Sequence, residues 1–296
     1  MWFKNLYLFK FEKDFTLDAE ALHQALSQKT FTPCSATQRE SLGWVAPLGS
    51  GDSMTHATNK NILISMARQV RLLPASVVKE ILQERVEALE LKDDRKVSAR
   101  ERKSLREEIE DELLPRAFTR TQRLDAWIDP RNGWLILNTP SAPRAEEFTK
   151  LLRTTLGSLP VALPESEVSP SAAMTHWLSS GKPPAPFILG LECELKNQGD
   201  DKGSVAFKQH DLTLDEIQTS LKAGKWVSKL ALEWDEKISF VLSEDLQIKK
   251  LKFLDVLEEQ LQDNDPQTHA EHLDIEFSLM SGEVAALLVD LMKALD

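Results

Sequence analysis

Leu124-Asp125-Ala126-Trp127-Ile128-Asp129-Pro130-Arg131-Asn132-Gly133-Trp134-Leu135-Ile136-Leu137 reads as two strands joined by a turn. Trp, Ile and Leu suit a pleated, half-buried surface. Asp-Pro followed by Asn-Gly is a strong turn signal, because Asn and Gly tolerate a positive φ. The first strand extends back to Arg116, so residues 116–129 and 133–138 form an antiparallel pair. Residues 141–156 then repeat apolar side chains at helical spacing, and Gly157 is a helix stop. Set beside a β-α-β-β order over residues 2–67, this strand-strand-helix set predicts an α+β fold with antiparallel sheets.

Upstream, residues 2–11 are an aromatic-rich strand. Thr16-Leu17-Asp18-Ala19-Glu20 has the form of a capping-box start, and Leu17, Ala21, Leu22, Ala25 and Leu26 follow at helical spacing. Residues 31–60 are rich in Gly, Pro, Ser and Thr around a strand-like Gly43-Trp44-Val45, and residues 61–67 form another strand. The strands of 116–138 complete the sheet that residues 2–67 begin. Pro74 opens a helical excursion over 75–114, two helices or a hairpin, whose second half keeps only Val97, Leu105 and Ile109 among charges before Leu113-Leu114-Pro115. It reads equally as a solvated arm or as a projecting tip that meets another subunit or a polyanion.

Six prolines fall within residues 157–186, which form the best domain boundary. Beyond it, strands are predicted over 187–194, 204–209, 226–234, 238–242 and 247–253, and helices over 213–223, 254–262 and 281–295. The predicted organisation is a centre α+β domain (1–74 with 115–160), a helical tip (75–114) and a C-terminal α+β base domain (161–296).

The chain has 296 residues, two of them cysteine. Cys34 and Cys193 form no spaced cluster, which excludes a disulfide framework and a cysteine zinc site and suits a reducing cytoplasm. No apolar run reaches the ~20 residues that span a bilayer. Met1-Trp2-Phe3-Lys4-Asn5-Leu6 alternates like a strand and lacks the order of a signal peptide. A cytoplasmic protein without a membrane partner is expected.

The net charge of −11 argues at first against a nucleic-acid partner. Its distribution removes that objection. Residues 253–296 hold one base, Lys293, and eleven acids, which leaves the rest of the chain near neutral. Residues 116–153 carry seven bases against four acids. Local fields decide phosphate binding, so a mildly basic middle can grip DNA; a solvated surface with random charge fluctuation is the plainer reading.

Catalytic constellations are missing. Gly181-Lys182-Pro183 and Gly224-Lys225-Trp226 lack the upstream glycine and downstream hydroxyl of a phosphate loop, and Gly49-Ser50-Gly51 is a bare flexible loop. His269 and His272 stand at i,i+3 among acids without a third ligand at fixed spacing. Ser76 and Lys79 have serine–lysine spacing without the partner motifs of such enzymes. No enzyme activity, cofactor or metal is expected. Aromatics do interleave with bases, as in Arg116-Ala117-Phe118-Thr119-Arg120, Phe207-Lys208, Lys225-Trp226 and Lys252-Phe253. That pattern serves stacking and phosphate neutralisation in single-strand binders, and equally serves a strand with aromatics inward and lysines outward.

An ordered set of segments carries a family resemblance: Trp2-Phe3-Lys4-Asn5-Leu6, Phe31-Thr32-Pro33-Cys34, Gly43-Trp44-Val45, Leu113-Leu114-Pro115-Arg116-Ala117-Phe118, Leu152-Arg153 with Leu156-Gly157-Ser158-Leu159-Pro160, Lys229-Leu230-Ala231-Leu232, Leu251-Lys252-Phe253 and Ser281-Gly282-Glu283. From end to end the chain resembles the bacterial recombination-associated, nucleoid-associated RdgC family. The resemblance implies a non-enzymatic homodimer closed into a ring around DNA, with centre, tip and base regions and a basic hole. It implies binding to double- and single-stranded DNA without sequence preference and restraint of RecA-driven recombination. A scaffold acting directly on a recombinase, with DNA contact secondary, is the competing expectation.

Within that frame, Arg116 and Arg120, spaced on one predicted strand, are expected to contact phosphates, with Arg123 pointing the other way unless a bulge intervenes. Lys222, Lys225, Lys229 and the run Lys249-Lys250-Lys252 are the basic groupings of the C-terminal unit and the expected DNA contacts there. Phe118, just after Pro115, is expected at the dimer interface; alternation alone leaves open a place in the core of its own subunit.

Overall fold

The fold was obtained as a computed structural model, which describes residues 2–49, 51, 53–197, 203–254 and 268–296. It is an α+β fold with two antiparallel sheets. The first sheet contains β1 (Tyr7–Phe11), β2 (Glu40–Val45), β3 (Thr55–Thr58), β4 (Asn61–Leu72), β5 (Phe118–Asp129), β6 (Trp134–Leu137) and β7 (Val161–Ala162). Its order is β2-β4-β5-β6-β1-β7, with β3 sharing the β2 edge of β4. The second sheet, in the order β12-β11-β10-β8-β9, contains β8 (Phe187–Lys196), β9 (Ser204–Lys208), β10 (Trp226–Trp234), β11 (Ile238–Ser243) and β12 (Ile248–Phe253). The helices are α1 (Ala19–Ser27), α2 (Ala75–Asp93), α3 (Ala99–Leu113), α4 (Ala142–Leu156), α5 (Pro170–Ser180), α6 (Asp215–Lys222) and α7 (His269–Leu295).

The Leu124–Leu137 hairpin forms as expected. The Asp129 carboxylate accepts from the backbone N–H groups of Arg131 and Asn132, both at 3.1 Å, and Gly133 takes a φ of +66°. The centre of the first sheet is buried on both faces, so its strands read as continuous apolar runs. On one face Ile62, Ile64, Met66, Leu124, Ala126 and Ile128 pack under α1 and α4 through Leu22, Leu26, Phe148 and Leu152. On the other face Leu8, Leu63, Trp127 and Ile136 share a core with the second sheet, α5 and α7. Helix α7 touches both sheets: Phe277 meets the Trp127 ring edge-on at 6.1 Å, and the Trp234 indole N–H donates to Asp290 at 2.9 Å. Leu6 and Ile248 exchange backbone hydrogen bonds of 2.8 and 3.1 Å, which ties the first residues to β12.

Four expectations need correction. Arg116 is not on the strand; it ends a 3-10 turn, Leu114–Arg116, that Pro115 helps set, and β5 begins at Phe118. Residues 31–60 contain two strands and not one. The missed β3 is a polar Thr-His-Ala-Thr that joins β4 through Asn59 and Lys60, at φ +50° and +70°, the signature of a tight hairpin turn. The proline-rich stretch contains α5, where Ser169 caps the helix and Pro170 occupies a first-turn position that needs no N–H. The last helix begins at His269, well before residue 281. The helix expected over 254–262 lies, beyond its first residue, outside the described residues.

Candidate nucleic-acid interface

The β4–β5 ladder runs unbroken from Ile62↔Ile128 to Leu72↔Phe118. Only its first half is covered by α1 and α4; from Arg68 and Arg123 outward the side chains are half-buried or exposed. About six residues of ladder, roughly 20 Å at strand rise, therefore leave the core and carry the α2–α3 hairpin. Val78 and Val86 of α2 and Ile109 of α3 are the buried apolar positions of that hairpin. Ile81, Leu82, Leu89, Val97 and Leu105 are half-buried beside them, and charge adds to that packing. Ser98 and Glu101 form a capping box, and Arg95 grips Glu101 through two hydrogen bonds of 3.0 and 2.8 Å. That guanidinium, helped by Ser98, holds the Glu101 carboxyl at about 2.

Side chains alternate along β5, and no bulge interrupts its pairing with β4. Phe118 and Arg120 therefore share the face that Leu124 occupies further in, and Arg123 projects from the opposite one. Phe118 is 84% exposed, which excludes a place in the core of its own chain. Arg120 is exposed and has no acidic partner among the described residues. Arg116, in the turn before them, is exposed as well; Glu112 nearby is held low first by its hydrogen bond to Arg85, with Arg116 adding to the field. Arg123 is engaged: it bonds Asp125 at 2.6 Å, Ser65 at 2.8 Å and the Pro47 carbonyl.

The C-terminal lysines divide similarly. Lys222, in the last turn of α6, and Lys252 are exposed, and Lys249 is half-buried. Lys225 donates to the Asn197 side chain. Lys229 faces its cross-strand neighbour Glu194 at 2.7 Å, and that hydrogen bond, with Ser228, holds the Glu194 carboxyl below the usual carboxylate range. Lys250 sits in a β-bulge at φ +53°, which aims its ammonium at both Glu192 oxygens, 2.6 and 2.7 Å away. Arg120 belongs to the first sheet and Lys229 and Lys250 to the second.

Ser76 and Lys79 are exposed in the first turn of α2 and share no hydrogen bond. His272 lies 3.6 Å from Glu276 on α7, and the His269 side chain is outside what is described. Among the described residues no three His, Cys, Asp or Glu side chains gather as a metal site, and no helix is long and apolar enough to cross a membrane.

The family model described as "Putative exonuclease, RdgC" matches residues 1–296. The chain belongs to the RdgC family. It is 41% identical over 293 residues to the recombination-associated protein RdgC of Colwellia psychrerythraea, covering 99% of this chain and 95% of that one. It is 42% identical to those of Psychromonas ingrahamii, over 99% of this chain and 98% of that protein, and of Aeromonas hydrophila, over 100% and 98%. The two names differ in kind, one of an exonuclease and the other of recombination.

Sequence reading of this RdgC chain missed two residues at the exposed ladder end. Leu72, directly across from Phe118, is 46% exposed and extends the apolar surface there. Arg71, on the opposite face, ties down the chain on either side. A strand prolonged to residue 72 would have revealed the first; nothing in composition marks the second.

Proposed function

We propose that this RdgC chain is a non-enzymatic, sequence-independent DNA-binding protein. Two copies close into a ring around duplex or single-stranded DNA and, by occupying it, restrain a RecA-type recombinase on the nucleoid. One observation carries the reading: at the end of a ladder that leaves the core, an exposed Phe118–Leu72 pair lies on the same face as Arg120, a cation without a counter-charge among the described residues. The apolar pair suits burial against a second copy, since a symmetric interface needs a self-complementary patch. The unpaired arginine, with Arg116 beside it, suits phosphates, which it binds whatever the base. Lys222, Lys225 and Lys249, which carry no carboxylate bond among the described residues, are the C-terminal candidates for the same hole, while Lys229 and Lys250 would act through pairs they already make.

Solution mass combined with a DNA titration at several salt concentrations tests this reading. A dimer whose log K falls, for each tenfold rise in salt, by about 0.9 per neutralised phosphate on duplex DNA is expected. Intact end-labelled DNA after incubation with Mg2+ or Mn2+ is expected too; released nucleotides would favour the exonuclease name. A salt-insensitive association with a recombinase, without DNA affinity, would favour the scaffold reading.

A further inference from the structure

Arg71, the last residue but one of β4, lies on the face opposite Phe118, paired in register with Thr119. Its guanidinium serves backbone carbonyls of two separate segments. Nε and Nη2 donate to Ser35 at 3.2 and 3.0 Å, and Nη2 to Cys34 at 3.4 Å. Nη1 donates to Leu114 at 3.1 Å, Ala117 at 3.2 Å and Pro115 at 3.4 Å. The Leu114 and Pro115 carbonyls lie where α3 runs out through the 3-10 turn, at the negative end of the helix, where unsatisfied C=O groups call for a cation. The same loop is fastened elsewhere too. The Cys34 N–H and Sγ donate to the Gln69 side chain and carbonyl at 2.8 and 3.3 Å, and the Arg71 backbone N–H donates to the Arg39 carbonyl at 2.8 Å. Arg39 also pairs with Glu110 of α3, which Arg106 holds as well, but the Arg39 side chain is exposed, and such pairs add little. Among the described residues, Arg71 is thus the one side chain that bonds both the loop and the turn from which Phe118 and Arg120 emerge.

We infer that Arg71 is a positioning residue that fixes the α2–α3 hairpin and the Phe118 edge relative to the sheet, so that closure of the ring depends on a guanidinium that bonds carbonyls of its own chain. The closure half of this inference rests on the ring reading above. A planar fork with five donors serves all five carbonyls at once; the three donors on the single nitrogen of a lysine cannot.

The test uses the full chain and three variants, Arg71→Lys, Arg71→Ala and Phe118→Ser. Hydrogen exchange is followed over residues 33–39, 113–120 and, as an internal control, 226–242. Both Arg71 variants are expected to speed exchange at least ~10-fold over 33–39 and 113–120 and to leave 226–242 unchanged. They should also shorten retention on closed circular DNA ~10-fold while affinity for a short linear duplex changes less than ~2-fold. Lysine keeps charge and length, so Arg71→Lys reports even where the alanine variant fails to fold. Wild-type exchange in Arg71→Lys, or faster exchange throughout the chain, overturns the positioning role. Normal circle retention in the Arg71 variants, with retention lost in Phe118→Ser, overturns the closure half alone. Normal retention in Phe118→Ser overturns the ring reading and the closure half with it, and the exchange data then decide the positioning role by themselves.

Discussion

Phe118 stands directly across from Leu72 at the last pair of the β4–β5 ladder, with both side chains on one face and both in solvent. A large aromatic left exposed beside a leucine costs hydration free energy unless something covers it. Phe118→Ser is therefore expected to fold normally and to weaken closure of the dimer ~30-fold, which corresponds to about 2 kcal/mol for an interface anchor. Sedimentation velocity across a concentration series reads the effect. Unchanged self-association would remove Phe118 from the interface.

Arg116 and Arg120 differ in backbone setting, one in a turn and one on a strand, yet both are exposed. Replacing both with Ala should weaken binding to all sequences alike and lower the salt slope by about 0.9 for each phosphate that is no longer neutralised. Arg123→Ala, by contrast, should chiefly lower stability, because it breaks bonds to Asp125 and Ser65. A salt slope unchanged in the double variant would take the two arginines out of the site.

Glu194 is held below its ordinary value by Lys229, with Ser228 assisting. A depressed carboxylate adds stability above its unfolded pKa, about 4.3, and loses it as pH falls through the folded value. Lys229→Met should therefore be less stable than the parent at pH 7. The gap should narrow as pH drops below ~4, where protonation removes the parent's advantage. Denaturant unfolding at pH 7, 5 and 3.5 measures it, and a pH-independent gap would show that packing, not charge, is what Lys229 contributes.

Gly43 lies against the backbone of the segment after α1: a Cβ there would stand 2.4 Å from the Phe31 Cα. Trp44 beside it bonds that same segment and is buried against Phe148. Gly43→Ala must displace the backbone and should cost about 1–3 kcal/mol, the usual range for overpacking. A thermal melt reads the loss; an unchanged midpoint would mean the segment yields freely.

The second sheet was legible because its strands alternate: Trp226–Trp234 buries every second residue over most of its length, and its bounds match the sequence reading. Leu124–Leu137 was legible because apolar runs flank an unmistakable turn. β3 was not, because Thr55-His56-Ala57-Thr58 carries no apolar stripe and its turn uses Asn-Lys in place of Asn-Gly. α5 hid among prolines that each looked like a break, although Pro170 begins a helix. Arg116 was drawn into the strand because Pro115 ends α3 without starting β5. The basic residues were legible in composition, but their pairing was not. That Lys229 meets Glu194 and Lys250 meets Glu192 depends on register and bulges, which charge spacing along one strand does not encode. That Phe118 is left uncovered depends on where α1 and α4 stop covering its face of the sheet.

The most direct test of encirclement compares release from closed circular and linear DNA of the same sequence after a jump to high salt. A ring around the duplex cannot leave a circle without opening but slides off a free end, so protein should persist on the circle and vanish from the linear form. Phe118→Ser should abolish the difference. Equal release of the parent protein from both forms would contradict encirclement and leave surface binding alone.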